Sequence, residues 1–333
     1  MDKLPVAIVG LGRIASLLED DKLREKPCTH AGAVRANPNC ALVAGADIDG
    51  ERREAFKAQW GCPVYADARQ MILETRPRIL HIATHPDSHL FYAALAEKLK
   101  VPVVVCEKPL ASDIRGARKI AAIHRRGSTK IITNHERRYS TNYQQIQAMI
   151  ADGRYGDLQS IKGTLYMGKN RRILDILWHD GTHMVDAFAF LAEGVPVHKK
   201  TAGGPLDARS GTTFFFGEIR RKKDRRNIPF VLETGSDRDH LVFEIECSLE
   251  QARLRIGNGI FEIWERAESP YAEGFRSLRR APAIFTGATG YFANMEADAA
   301  ACALAPQLAP VSSALDGLAV IKYLSRVHKW GIT

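Results

Sequence analysis

The stretch Val6-Ala7-Ile8-Val9-Gly10-Leu11-Gly12-Arg13-Ile14-Ala15 decides the fold of this chain. Four apolar residues without alternation read as a strand buried on both faces. The six residues after them fit GxGxxA. The first glycine allows a tight turn, the second lets a pyrophosphate approach the backbone, and Ala15 permits close helix packing. A helix opening there offers free N–H groups and the positive end of its dipole to phosphates. Alone the pattern is weak; directly after a strand and before a helical stretch it is a dinucleotide-binding fingerprint. Gly10, Gly12, Arg13 and Ile14 are therefore candidate cofactor contacts.

The fingerprint also expects an acid about 20 residues on, at the end of the second strand. Asp47 ends the apolar run Ala41-Leu42-Val43-Ala44-Gly45-Ala46, yet lies 35 residues after Gly12. The charged stretch 19–27 reads as an insertion that explains the excess. Asp47 would hydrogen-bond the adenosine ribose and repel a 2′-phosphate. Arg52 and Arg53, just downstream, favour that phosphate. The reading is NAD, with NADP as the alternative.

Short apolar runs continue at 79–83, 103–106 and 131–133, and helical stretches such as 91–99 and 114–124 separate most of them. Alternating β and α with nearly continuous apolar strands implies a doubly wound parallel sheet, the Rossmann arrangement. After about residue 126 the pattern changes to longer strands of period two, at 158–167, 241–248 and 252–256. Period two suggests an open antiparallel sheet with one wet face. Residues 314–328 read as an amphipathic helix. The expected domains are 1–126 and 127–313, with helix 314–328 returning to the first.

The chain has 333 residues, which suits two domains, with 45% hydrophobic and 26% charged residues. No apolar run nears the ~18 residues that span a membrane. The first strand starts at once, leaving no room for a signal peptide, and the six cysteines form no CxxC pair. Both features point to a cytoplasmic protein with reduced thiols. The net charge is +9, but the densest basic run, 220–226, lies between two strand-like segments and carries no interleaved aromatics. It reads as a solvated hairpin tip, and nucleic acid and membrane partners are set aside.

Cys106-Glu107-Lys108-Pro109-Leu110 puts a lysine at the end of a parallel strand, where such folds place ligands. Together with the early GxGxxA, Ile82-Ala83-Thr84-His85-Pro86-Asp87-Ser88-His89, Asn134-His135-Glu136-Arg137-Arg138-Tyr139 and Gly181-Thr182-His183-Met184-Val185-Asp186, it resembles the Gfo/Idh/MocA family, which includes glucose–fructose oxidoreductase and inositol dehydrogenase. The resemblance covers most of the chain in order, though 199–280 carries no matching motif. It implies a Rossmann domain followed by an α/β domain whose large open, mostly antiparallel sheet builds homodimers or homotetramers. It implies hydride transfer between a nicotinamide and a hydroxyl-bearing carbon of a sugar, cyclitol or sugar acid. Thr84, His85, His89, Glu107 and Lys108 would serve the cofactor. Lys108 would hold the reacting hydroxyl, His183 would be general acid/base, and Arg138 would reach the substrate.

One departure stands out. The family usually has an aspartate four residues before the catalytic histidine; here that position is His179 and the aspartate is its neighbour, Asp180. Either His179 or Asp180 takes over the relay, or the chemistry has changed, which leaves a non-catalytic dinucleotide or sugar sensor as the alternative. His179 and His183 also invite a zinc reading, but Asp replaces the glutamate of HExxH, Gly181 weakens the helix and no third ligand is evident, so no metal is expected. Lys169-Asn170-Arg171-Arg172 precedes this segment. If Arg171 and Arg172 face the substrate, it carries a carboxylate or phosphate.

Overall fold

The computed structural model describes residues 2–282 and 288–330. They form two compact units, Met1–Ser140 with Ala288–Ile321, and Thr141–Gly287 with Lys322–Thr333. The first unit carries six parallel strands, β1 (Leu4–Val9), β2 (Cys40–Ala46), β3 (Val64–Tyr65), β4 (Ile79–Ile82), β5 (Val103–Cys106) and β6 (Lys130–Thr133). Their order is β3-β2-β1-β4-β5-β6, with α1 (His30–Ala36), α2 (Gly50–Trp60), α3 (Ala68–Thr75), α4 (Pro86–Lys98) and α5 (Ile114–Arg126) between them. This is the doubly wound order whose crevice, between β1 and β4, opens at the carboxyl ends of the strands. Val6, Ile8, Leu80, Ile82, Val104 and Ile132 are fully buried. Each such side chain stabilises the fold by ~1.5–3 kcal/mol.

Two boundaries differ from the sequence reading. The first unit runs past residue 126 to Ser140, because β6 pairs in parallel with β5 and so completes the first sheet. The helix expected directly after the glycine loop exists only as its first turn. Ser16 N–H bonds Gly12 O at 3.1 Å, the chain then leaves through a 3₁₀ turn at Leu17–Asp20, and α1 starts at His30. His30 and Ala31 N–H bond Ile14 O and Ala15 O, so they take the ladder places that residues 18 and 19 would fill. The insertion is therefore spliced into the helix. Without those looped-out residues Asp47 falls near the expected spacing of about 20. Glu19 ties the excursion back to α1, accepting from Thr29 Oγ1 at 2.6 Å and Cys28 N at 3.2 Å.

The second unit starts with α6 (Thr141–Ala151) and holds an eight-stranded sheet. Its strands are β7 (Leu158–Met167), β8 (Gly194–Gly203), β9 (Gly211–Arg221), β10 (Asn227–Ser236), β11 (Leu241–Leu249), β12 (Ala252–Gly257), β13 (Ile260–Glu268) and β14 (Arg276–Arg280). The order is β14-β13-β12-β11-β7-β10-β9-β8, antiparallel except where β10 runs parallel to β7. Helices α7 (Ile173–His179) and α8 (Gly181–Leu191) lie between β7 and β8 in the chain. Alternate residues of β11 and β12 are buried, as period two requires. Phe188 of α8 packs so closely over Gly163 of β7 that a Cβ there has no room. The partly exposed residues of the central strands carry ion pairs instead, Arg255 with Glu244 and Glu262 at 3.0 Å each. The basic run 220–226 is the hairpin tip between β9 and β10, where Arg226 pairs with both Asp224 and Asp157.

The first unit is completed by α9 (Tyr291–Leu304). The last helix, α10 (Ala314–Trp330), belongs to it through Ile321 and to the second unit from Lys322.

Candidate active site

The glycine loop leaves β1 at Gly10, whose φ is +85°. A Cβ there would lie 2.8 Å from Ala83 and Thr84, so only glycine lets the loop pass the end of β4. At Gly12 a Cβ would meet only Arg52 Nη1, at 3.8 Å. The backbone is thus bare where a pyrophosphate would approach. Arg13 and Ile14 lie in the single helical turn beyond.

Asp47 is 8% exposed and follows β2. Its Oδ2 accepts Leu11 N–H at 2.8 Å and its Oδ1 accepts Asp49 N–H at 2.9 Å. The acid is thereby locked to the glycine loop, with lone pairs left for ribose hydroxyls. Asp49 caps α2, accepting from Glu51 N and Arg52 N. Arg53 donates to the carbonyls of Asp47 and Ile48. Arg52 stands half-exposed, 3.8 Å from Asp47 and 3.6 Å from Asp49.

Glu107, just past β5, is 6% exposed. Its carboxylate accepts from Asn134 Nδ2 at 2.6 Å, His30 Nε2 at 2.9 Å and Lys108 N at 3.1 Å. Burial alone would raise its pKa, but the hydrogen bond from His30, the Lys108 ammonium and the Asn134 amide outweigh it and hold the value at about 2. Lys108, half-buried, therefore leaves the sheet on a pinned amide.

Other predicted residues belong to the same unit. His89 is wholly buried in α4, with its ring nitrogens 3.0 Å from Thr84 O and 3.3 Å from Leu110 O. It lies between the Thr84 and Leu110 carbonyls of two loops. Thr84 Oγ1 accepts from Ser88 Oγ, and exposed His85 precedes α4. Arg138 is 7% exposed and reaches Val311 O at 3.2 Å and Asp316 at 3.3 Å. Its charge anchors the start of α10.

In the second unit, α7 ends at His179 and α8 begins at Gly181, so His179 and His183 stand on two helices broken at Asp180. A single helical face of the HExxH kind is absent. Asp180 accepts from Arg171 Nη1 at 2.7 Å and faces His179 Nδ1 at 2.9 Å. Burial would raise its pKa; His179 and Arg171 prevail and lower it. His183, partly buried in the first turn of α8, donates its amide to Asp180 O at 3.2 Å. Arg172 forms a two-pronged pair with Asp175 at 2.7 Å. Both arginine forks expected to face a substrate anion thus already hold a carboxylate.

Sequence reasoning missed His30 and Glu296, which lie with His81 and Glu107 in the first unit's interior. The one available signal was His81, a histidine inside the fully buried run Ile79-Leu80-His81-Ile82, where a polar side chain requires a partner.

Residues 4–135 match the model of the oxidoreductase family with NAD-binding Rossmann fold, GFO_IDH_MocA. Through this stretch the chain is similar to the Gfo/Idh/MocA family. It is 26% identical over 174 residues to D-apiose dehydrogenase of Paraburkholderia graminis, covering 49% of this chain and 46% of that one. It is 27% identical over 157 residues to inositol 2-dehydrogenase of Rhizobium meliloti, covering 46% and 42%. These matches span less than half the length of the relatives. An oxidoreductase of Agrobacterium radiobacter, solved in complex with NAD+, L-tartaric acid and magnesium, superposes with a TM-score of 0.74 over 99% of this chain and 97% of that one, at 14% identity. That likeness shows a shared fold across both units. Among the described residues no helix is long and apolar enough to cross a membrane.

Proposed function

We propose that this protein is an NAD-dependent oxidoreductase that transfers a hydride between nicotinamide and a hydroxyl-bearing carbon of a sugar, cyclitol or sugar acid. The observation that carries the reading is the Glu107-Lys108-Pro109 turn at the carboxyl end of β5, with the Lys108 amide held by the Glu107 carboxylate. In a sheet of this order that end is where a dinucleotide and its reaction partner bind.

Gly10 and Gly12 would admit the pyrophosphate to the backbone and Asp47 would hold the adenosine ribose. Bound nicotinamide supplies the hydride acceptor. Lys108 Nζ would hydrogen-bond the reacting hydroxyl and favour loss of its proton. The His183 imidazole would take that proton, a task that suits a side chain titrating near neutrality. Asp180, held ionised between Arg171 and His179, would fix the backbone from which His183 projects. The named activities of the relatives, on apiose and inositol, support the substrate class.

A second reading, a dinucleotide or sugar sensor without turnover, draws on His179 standing where the family keeps an aspartate. Purified protein incubated with NAD+ and a panel of aldoses, cyclitols and uronic acids separates the two. Appearance of NADH absorbance with one of them is expected. Binding of both ligands without any reduction would establish the sensor. The cytoplasm, where all six buried free cysteines stay reduced, is the proposed location, and a homodimer or homotetramer the proposed assembly.

A further inference from the structure

Four ionisable side chains meet in the interior of the first unit, and only one of them belongs to the proposed site. His30 Nε2 is 2.9 Å from Glu107 Oε1, and His30 Nδ1 is 2.7 Å from His81 Nδ1. His81 Nε2 is 3.0 Å from Glu296 Oε2, an ion-pair contact without hydrogen-bond geometry. His30, His81 and Glu296 have no exposed surface at all. They come from the first turn of α1, from β4 and from α9, while Glu107 follows β5. Without solvent contact, any charge among them must be compensated by neighbouring groups.

The proton count starts from the contact between the two Nδ1 atoms. With no proton between them, two lone pairs would face each other at 2.7 Å. With two protons, the N–H groups would collide. One proton lies there, and by the same argument one lies between His30 Nε2 and Glu107. A third is required by burial, because without it two carboxylate charges would stand beside two neutral rings away from solvent; it lies on the His81–Glu296 pair. The set therefore holds three protons. Two of them make both rings neutral, and the third cancels one of the two carboxylate charges, whichever atom carries it.

We propose that Glu107, His30, His81 and Glu296 form one proton-sharing chain with a net charge of minus one, in which His30, His81 and Glu296 are positioning residues that hold the Glu107 carboxylate against the Lys108 amide.

The negative charge belongs at the Glu107 end. Three donors converge there, from His30, Asn134 and the Lys108 backbone, and the Lys108 ammonium adds its field. A carboxylate with two or three such donors stays ionised. Burial pushes the His30 pKa down, in keeping with a neutral ring that donates from Nε2. The third proton then lies in the gap between His81 and Glu296. This leaves a single formal charge in the interior, the least costly arrangement of the set. The neighbours agree with it. The Cys40 thiol beside Glu296 has its pKa pushed up by burial and by that carboxyl group, so it stays protonated. His89, within the field of Glu107, has its pKa pushed down by burial. Phe292 packs edge-on against His30 at 5.4 Å and contributes no polar group.

The inference takes from the proposed function only the importance of Lys108, and its test needs no turnover. Protein labelled with 15N at histidine and lysine is examined by NMR at neutral pH without ligands. The expected result is one strongly deshielded proton coupled to both His30 Nδ1 and His81 Nδ1, absent in His81→Phe. Glu296→Gln, whose amide N–H can enter the same gap, keeps this proton; Glu296→Ala loses it. The Lys108 amide resonance, assigned through Lys108→Arg, shifts upfield in Glu296→Ala and returns in Glu296→Gln. Separate protons on the two Nδ1 atoms, or none on either, in the unaltered protein overturn the chain, whether or not any variant folds. A Lys108 amide equally displaced in Glu296→Ala and Glu296→Gln overturns the positioning role. Lack of turnover on every sugar tried defeats the proposed function and leaves these results standing.

Discussion

The Asp47 carboxylate accepts the Leu11 amide at 2.8 Å, so the acid after β2 and the glycine loop after β1 are one hydrogen-bonded unit. Replacing Asp47 therefore removes both a ribose ligand and the brace of the loop. Asp47→Ala is expected to weaken NAD more than NADP, because the carboxylate that repels a 2′-phosphate is gone and Arg52 remains 3.8 Å away to receive it. Asp49→Ala should leave both affinities nearly unchanged while costing ~1 kcal/mol of stability through loss of the α2 cap. Titration of each variant with both dinucleotides, beside a thermal melt, checks the pair. Equal loss of NAD and NADP in Asp47→Ala would remove Asp47 from cofactor selection.

The Lys108 and His183 proposals make a kinetic prediction. General acid–base groups typically contribute ~10²–10⁴-fold in rate. Lys108→Ala and His183→Ala should each lower kcat on that scale while the NAD dissociation constant stays within about threefold, since neither is assigned to the dinucleotide's phosphates or ribose. Wild-type turnover in either variant takes that residue out of the mechanism.

Much of this was legible in the sequence, and the remainder has physical reasons for being hidden. The parallel sheet announced itself because its buried strands are uninterrupted apolar runs, Val6-Ala7-Ile8-Val9 and Val103-Val104-Val105-Cys106. The split helix did not, because hydrogen bonds from His30 and Ala31 to Ile14 and Ala15 bridge a gap that no periodicity records. The parallel pairing of β7 with β10 is equally silent, since alternation gives the face of a strand and not the direction of its neighbour. Motif matching placed Glu107 and Lys108 at the end of β5 but did not reveal that His89 and Arg138 turn inward to Thr84, Leu110, Val311 and Asp316, because those partners are brought up only by the fold. The partners of Glu107 were out of reach, because His30 and Glu296 meet only through the fold.

Acid should loosen the first unit before the ordinary carboxylate range is fully traversed. The Glu107 pKa is about 2 in the folded protein, below the 4.5 of a free glutamate. A carboxylate depressed on folding stabilises above its unfolded pKa and loses that contribution as pH falls towards its folded value. His30, pushed down by burial, acts in the same sense, because acid favours the charged ring that only the unfolded chain can solvate. Unfolding free energy measured by denaturant titration should therefore fall from pH 5 towards pH 2. In Glu107→Gln, which lacks the titrating group, the slope over that window should be shallower. A parallel slope in the variant would show that other carboxylates dominate acid unfolding.

The last prediction concerns how the second unit reads charge. A substrate carboxylate could be held by a guanidinium fork through paired N–H bonds, and Arg171 and Arg172 have the right chemistry. Yet Arg172 already makes that two-pronged contact with Asp175, and Arg171 Nη1 is 2.7 Å from Asp180. To bind an anion either arginine would have to leave a carboxylate of equal charge, which returns little net energy. Arg172→Ala, on an exposed pair, is therefore expected to change kcat/KM by less than about threefold, since such pairs contribute only ~0–1 kcal/mol. Arg171→Ala acts through Asp180, which loses one of the two side chains that hold it ionised and in place. It should lower kcat/KM for a uronic acid and for the corresponding neutral sugar by the same factor. Raising the salt concentration should leave that ratio unchanged, because no bulk-exposed charge pair with the substrate is lost. A loss confined to the uronic acid, fading at high salt, would instead assign Arg171 to the substrate's carboxylate.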